Sequence, residues 1–193
     1  MGAEAFNAAQ LEILELIATG TQLPDVLDRI VRLIEQQSTD MRCSILLLDP
    51  ERRLRHGAAP SLPSAYSSAL DGVQIGPEVG SCGAAAFRGE EVVVEDIATH
   101  RYWRDFRELA LSHGLAACWS TPVVSPQREV LATYAMYYPT PRGPTSAERE
   151  WVRAATNLTA MAIMHDRAQR SLRQSNARAA QLATLYEVAS SVS

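Results

Sequence analysis

Two pairs of short apolar runs, each joined by a tight polar turn, decide the topology open to this sequence. "CSILLLD" at 43–49 reads as a buried strand ending in the charged turn "DPERR", with "LRHGAAP" at 54–60 as its hairpin partner. Toward the other end, "AACWSTPVVS" and "EVLATYAMYY" are strands joined by the polar turn "PQR". Strands connected by turns this short run antiparallel. A further β-branched run, "EVVVEDI" at 91–97, adds a fifth strand.

Helical patterns surround them. "LEILELIATG" has apolar residues at 11, 13, 14, 16 and 17 and stops at Gly20, while "LPDVLDRIVRLIEQQS" has Pro24 in its first turn and a broad stripe at 23, 26, 27, 30, 31, 33 and 34. "GSCGAAAFRG" opens a helix at 80, and "WRDFRELALSHG" at 103–114 is a helix ended by Gly114. The order is helix, helix, strand, strand, helix, strand, helix, strand, strand, helix. Hairpins at both ends imply an α+β domain, an antiparallel sheet with helices packed on it, and not a doubly wound fold.

Composition narrows the function classes. The chain has 193 residues, room for one ordinary domain plus an extension. All 18 basic residues are arginine, the net charge is −4, and no block of five like charges occurs, so nucleic acid is not an expected partner. The longest aliphatic stretch, "ILLL", is too short to span a bilayer, and "MGAEAFNAAQ" lacks a secretory pattern. The expectation is a cytoplasmic protein, or the cytoplasmic part of a larger one, without membrane contact. Cys43, Cys82 and Cys118 are odd in number and widely spaced with no CxxC, which argues against a zinc site or a disulfide framework.

The last segment is the most regular. Thr145 and Glu148 form a capping-box pair, and no Gly or Pro follows. Heptad positions fall at Trp151, Leu158, His165, Leu172, Ala179 and Tyr186, with companions Ala154, Met161, Ala168, Ser175, Leu182 and Ala189. Small and polar residues at several of these sites predict a weak coiled coil; the alternative is a single helix lying on its own sheet. Beyond 166, "DRAQRSLRQSNAR" is too polar for a monomer's core helix, which favours a homodimer through the N- and C-terminal helices. The expected division is a sensor domain at 1–165 and a helical linker at 166–193. "AAQLEILELIATG" at 8–20 and "AAQLATLYEVASS" at 179–191 repeat each other, as a chain entering a following module would.

With this order of elements, "GSCGAAAFRGEEVVVEDI", "LALSHGLAACWSTPVVS" and "VLATYAMYY" resemble a GAF domain, in particular the modules of bacterial histidine kinases and of cyclic-di-GMP synthases or hydrolases. The likeness spans roughly residues 8–165. It implies a central antiparallel sheet with helices packed on one face and a ligand pocket on the other, followed by a long C-terminal signalling helix. It also implies a non-catalytic sensor that binds a small ligand or senses redox, relaying through dimeric helices to an output domain of the same chain; the alternatives are a thiol-dependent reductase of the free methionine sulfoxide reductase type and a structural dimerisation module with no ligand. No kinase histidine box, GG[DE]EF or EAL motif is present.

Within that frame seven residues are candidates for the pocket: Cys82, Trp103, Phe106, His113, Cys118, Ser120 and Tyr137. In "VGSCG", Ser81 is expected to cap a helix with Cys82 in its first turn, where free amides favour a thiolate. Cys118 begins a strand that approaches this turn in the resembled fold, making a thiol pair conceivable; two packing cysteines are the plainer reading. Free methionine sulfoxide reductases are GAF proteins that also carry a Gly-x-Cys-Gly turn, but they use further cysteines, and none lies here between 82 and 118. Some GAF domains hold haem through a histidine near His100 or His113, with Trp103, Phe106 and Trp119 as possible walls; His113 also suits a plain helix C-terminus. The cofactor therefore stays open. Strand alternation sets Cys118 and Ser120 against Trp119 and Thr121, and Thr133, Ala135 and Tyr137 against Tyr134, Met136 and Tyr138. Periodicity does not say which set faces a ligand; small polar groups with one aromatic favour Cys118, Ser120 and Tyr137.

Overall fold

A computed structural model of the chain describes residues 2–191, with side chains described through residue 182. Its elements are α1 (Ala3–Ala18), α2 (Leu23–Glu35), β1 (Arg42–Leu48), β2 (Leu54–Ala58), α3 (Ser64–Leu70), α4 (Gly80–Arg88), β3 (Val92–Val94), α5 (Arg107–Ser112), β4 (Ala117–Val124), β5 (Val130–Tyr138) and α6 (Ser146–Ser191). The five strands form one sheet in the order β2-β1-β5-β4-β3, and every neighbouring pair is antiparallel. Both hairpins read from the sequence are therefore present, joined through the β1–β5 pairing.

Helices on the two faces make two cores. On one face α1, α2 and the first half of α6 pack together and onto the strands. The stripe of α2 supplies Val26, Leu27, Ile30, Val31 and Ile34, all buried against Ile45, Trp119, Tyr134 and Met136 of the sheet. On the other face α3, α4 and α5 enclose a smaller core with Leu46, Cys118, Ala135 and Tyr137. The strands are thus buried on both sides, which explains their apolar runs: β5 is buried at every position from Leu131 to Tyr138.

Some sequence boundaries shift. "SAYSSAL" forms α3, an additional helix between β2 and α4, while the stretch 103–114 divides into a 3-10 turn (Arg101–Trp103) and the short α5. The run at 91–97 pairs only at Val92–Val94, because the chain then leaves the sheet. Ser81 does not cap α4: that helix starts at Gly80, and the Ser81 hydroxyl is used across the core instead.

The predicted capping box closes α6. Thr145 N and Oγ1 both donate to Glu148 Oε2, and Glu148 N donates to Thr145 Oγ1. The helix then runs unbroken for 46 residues, or about 70 Å at the α-helical rise. It passes through the expected boundary at 165 without interruption. Leu158 is spent on the chain's own sheet, whereas Met161 (50% exposed), Leu172 (56%) and Leu182 (67%) face solvent. Tyr186, Ala189 and most of the repeat at 179–191 lie outside the described side chains. None of the described helices is long and apolar enough to cross a membrane.

Candidate functional site

The site lies under α4, on the sheet face away from α1, α2 and α6. Two glycines shape the start of this helix. Gly80 has φ +54, a left-handed conformation, and a Cβ on Gly83 would stand 2.9 Å from Val79 Cβ. The chain can therefore turn tightly from Val79 into the helix, whose first turn sets Ser81 and Cys82 against the sheet.

Ser81 is the joint between three elements. Its hydroxyl donates to Cys118 O at 3.1 Å and accepts from Trp103 Nε1 at 3.1 Å, pinning α4 to β4 and the 3-10 turn to α4. Next to it, Cys82 Sγ lies 3.9 Å from Tyr137 Oη, which is 3.4 Å from Ser44 Oγ. Ser120 and Thr133 share this face by strand alternation, and Tyr66 packs its ring edge-on to Tyr137 at 5.8 Å. The Oη of Tyr66, Oγ of Ser120 and Oγ1 of Thr133 are buried. None of the three has an oxygen or nitrogen partner at normal hydrogen-bond geometry; Ser120 and Thr133 turn instead toward the Cys82 sulfur, and Tyr66 toward Tyr137.

The thiols are driven apart electrostatically. The Cys118 thiol beside it, outweighing burial and helped by the Ser120, Tyr137 and Thr133 hydroxyls, holds Cys82 down to about 7. Burial and the neighbouring Cys82 push Cys118 well up. A sulfur with these neighbours is a soft nucleophile at neutral pH, though only 8% exposed. All three cysteines are free thiols, and Cys43 sits in the other core, where burial pushes its thiol up.

The enclosed space is small. A cavity of about 20 Å³ is lined by Leu46, Leu54, Tyr66, Cys82, Trp103, Phe106 and Tyr137 among others, with no charged side chain. That is room for about one water molecule. A haem does not fit this cavity, and His113 caps the end of α5 with its ring 5.9 Å from that of Tyr66. Among the described residues no group of three His, Cys, Asp or Glu is gathered to hold a metal ion.

Of the seven candidates, Cys82, Trp103, Phe106 and Tyr137 line the cavity. Cys118 and Ser120 are on the same sheet face as Tyr137 but do not line the cavity, and His113 reaches it only through its ring contact with Tyr66. The sequence reading omitted Tyr66, Ser44, Thr133 and Ser81. Thr133 alternates with Tyr137, and Ser44 is a lone hydroxyl within "CSILLL", so both had a signal. Tyr66 had none, because α3 was not expected.

A sheet with terminal helices on one face and a small pocket under a glycine-started helix on the other defines an α+β pocket-bearing module. The chain belongs to the GAF domain family, whose pattern it matches over residues 20–164. It is 37% identical over 177 residues to the methyl sulfide methyltransferase-associated sensor of Methanosarcina acetivorans; the match takes in 91% of this chain and 18% of that protein. The fold is similar to a domain of a two-component sensor histidine kinase protein from Sinorhizobium meliloti 1021 (TM-score 0.66, 23% identity, 80% of this chain and 99% of that one). It is also similar to the free methionine-R-sulfoxide reductase of Neisseria meningitidis in complex with its substrate (TM-score 0.64, 14% identity, 88% of this chain and 95% of that one).

Proposed function

We propose that the chain is a non-catalytic GAF sensor module of a cytoplasmic signalling protein, whose pocket under α4 takes a small molecule without negative charge and whose α6 relays occupancy through a homodimer. The observation that carries the reading is the gathering of the Tyr66, Tyr137, Ser120 and Thr133 hydroxyls around the Cys82 thiol beneath α4, beside a cavity walled by apolar side chains. A few polar groups on an apolar wall are what a site for a small molecule uses to orient it. The lining has no basic side chain, and its Cys82 thiol is held down to about 7, so an anionic ligand would be desolvated without compensation. Entry of anything larger than water requires the walls formed by α3 and Phe106 to move outward, a change that occupancy can drive. A larger parent protein is supported by the sensor relative, of which this chain spans 18%.

Native mass spectrometry and an absorbance spectrum of protein purified without denaturation test the reading. A co-purifying small molecule that is lost in a Ser120→Ala/Thr133→Ala double variant is expected. Retention of the same mass by that variant would place the ligand elsewhere.

A second reading, redox sensing by Cys82 and Cys118, is favoured by one observation: the two thiols are neighbours with opposite proton affinities. A hydroperoxide would oxidise the Cys82 thiolate to a sulfenic acid, releasing hydroxide or alcohol. Attack by the Cys118 thiol would then form a disulfide and expel water. Peptide mapping after peroxide treatment should find the Cys82–Cys118 bridge. Sustained turnover of free methionine sulfoxide with a dithiol reductant would instead make the chain a reductase.

A further inference from the structure

Directly behind the pocket, on the opposite face of β4 and β5, lies a cluster that the sensory reading has not used. Strand alternation places Trp119 next to Cys118 and Tyr138 next to Tyr137, but on the α6 side. The rings of Trp119 and Tyr138 stack at 4.7 Å, and the Arg142 guanidinium lies over both, 5.3 Å from the first and 4.4 Å from the second. Trp119 Nε1 donates to Arg142 O, so the β5–α6 connection is held from both its side chain and its backbone.

Glu148 completes the cluster from the first turn of α6. Its carboxylate is 4% exposed and accepts from Tyr138 Oη at 2.5 Å, Arg142 Nη2 at 2.9 Å, Thr145 N at 2.7 Å and Thr145 Oγ1 at 2.8 Å. One buried carboxylate thus serves as helix cap, as partner of the stacked arginine and as anchor on the strand. A helix cap alone needs only the Thr145 contacts. The bond to Tyr138 ties the cap to the residue that follows the pocket tyrosine.

We infer that Trp119, Tyr138, Arg142 and Glu148 form a latch that reports displacement of the pocket strands to the start of α6, an inference that rests on the sensory reading above. A ligand that shifts Cys118 or Tyr137 cannot leave Trp119 and Tyr138 in place, because adjacent residues share one backbone. The hydrogen bond at Tyr138 Oη is short and directional, so a shift of the strand weakens it steeply. Release frees the first turn of α6 to change its tilt or phase on the sheet.

Hydrogen–deuterium exchange on the intact chain tests this with a double-mutant cycle. Ala135→Val adds two carbons to the pocket floor and stands in for an occupant, while Tyr138→Phe deletes one latch oxygen and keeps the stacked ring. With the latch intact, Ala135→Val should speed exchange of the amides of residues 149–155 about tenfold, the factor expected when one hydrogen bond to a charged group is lost. In the Tyr138→Phe background those amides should already exchange about tenfold faster, and Ala135→Val should add nothing. The same tenfold increment in both backgrounds would overturn the latch while leaving the sensor intact. No increment in either would overturn the coupling of pocket to α6 and the latch with it. Glu148→Gln repeats the latch arm, and Ser120→Val the pocket arm, should either first variant fail to fold by circular dichroism.

Discussion

Among single residues, Cys82 has the most to reveal. Its thiol is held near 7 in the folded protein against an ordinary value of 9.0. A folded-state value below the unfolded one means that the native state releases the proton first. Stability from Cys82 is therefore fully present above about 9 and is lost as pH falls through about 7. Across that window the slope is at most about 1.4 kcal/mol per pH unit. Cys118, pushed the other way by burial and by Cys82, opposes this only above its ordinary 9.0. Urea unfolding at a series of pH values should show stability rising over this interval in the native sequence and flat in Cys82→Ser. Parallel curves would rule out the thiolate. Tyr137→Phe removes the hydroxyl shared by Cys82 and Ser44. It should cost about 1 kcal/mol and move the midpoint of Cys82 alkylation by iodoacetamide upward, read by peptide mass mapping.

At the scale of elements, what was legible in the sequence was what local periodicity encodes. The α2 stripe, both hairpins, the α6 cap at Thr145 and Glu148 and the glycine start of α4 all follow from spacing and turn chemistry. What was not legible depended on tertiary contacts. The pocket-facing side of β4 and β5 could not be fixed by alternation, since both sides of these strands are buried. The role of Ser81 could not be read because its partners, Cys118 and Trp103, are 37 and 22 residues away. α3 escaped because seven residues with only Tyr66 buried carry little periodic signal. α4 offers a direct test of the packing that the sequence only hinted at. Gly83→Ala should gain about 1 kcal/mol of helix propensity but force Val79, whose Cβ lies 2.9 Å from the added methyl, to move. Overpacking of a stiff β-branched neighbour costs about 1–3 kcal/mol, so a net loss of about 1 kcal/mol is expected in thermal or urea unfolding. A more stable variant would show that the Val79 turn gives way to the added methyl at little cost.

For the whole molecule, the question is what the long helix is for. Its first half is committed to the domain: Ala155, Leu158, Ala162 and Ile163 are buried against the sheet and α2, and ion pairs join Arg149 to Glu91 and Arg167 to Glu129. From Ser171 to Leu182 every described side chain is exposed. An isolated helical extension of this kind is marginal in water, since nucleation and backbone ordering are repaid mainly by packing of an apolar face. Of the exposed apolar side chains on α6, Met161, Leu172 and Leu182 fall on the predicted heptads and Met164 does not; exposed Leu11 lies on α1 of the same helical face of the domain. We propose that a second copy of the chain covers these positions. Because Ala154, Ala168, Ser175 and His165 occupy other heptad sites, the association should be weak, and two helix registers can lie close in energy. Sedimentation equilibrium should give a reversible dimer in the micromolar range, and Leu172→Glu should weaken it at least tenfold. The same substitution should leave the melting temperature of the domain core nearly unchanged at low protein concentration, because Leu172 touches none of it. A chain that remains monomeric at high micromolar concentration would mean that α6 finds its partner elsewhere. Signalling would then have to run through the tilt of a single helix, set by its cap at Glu148.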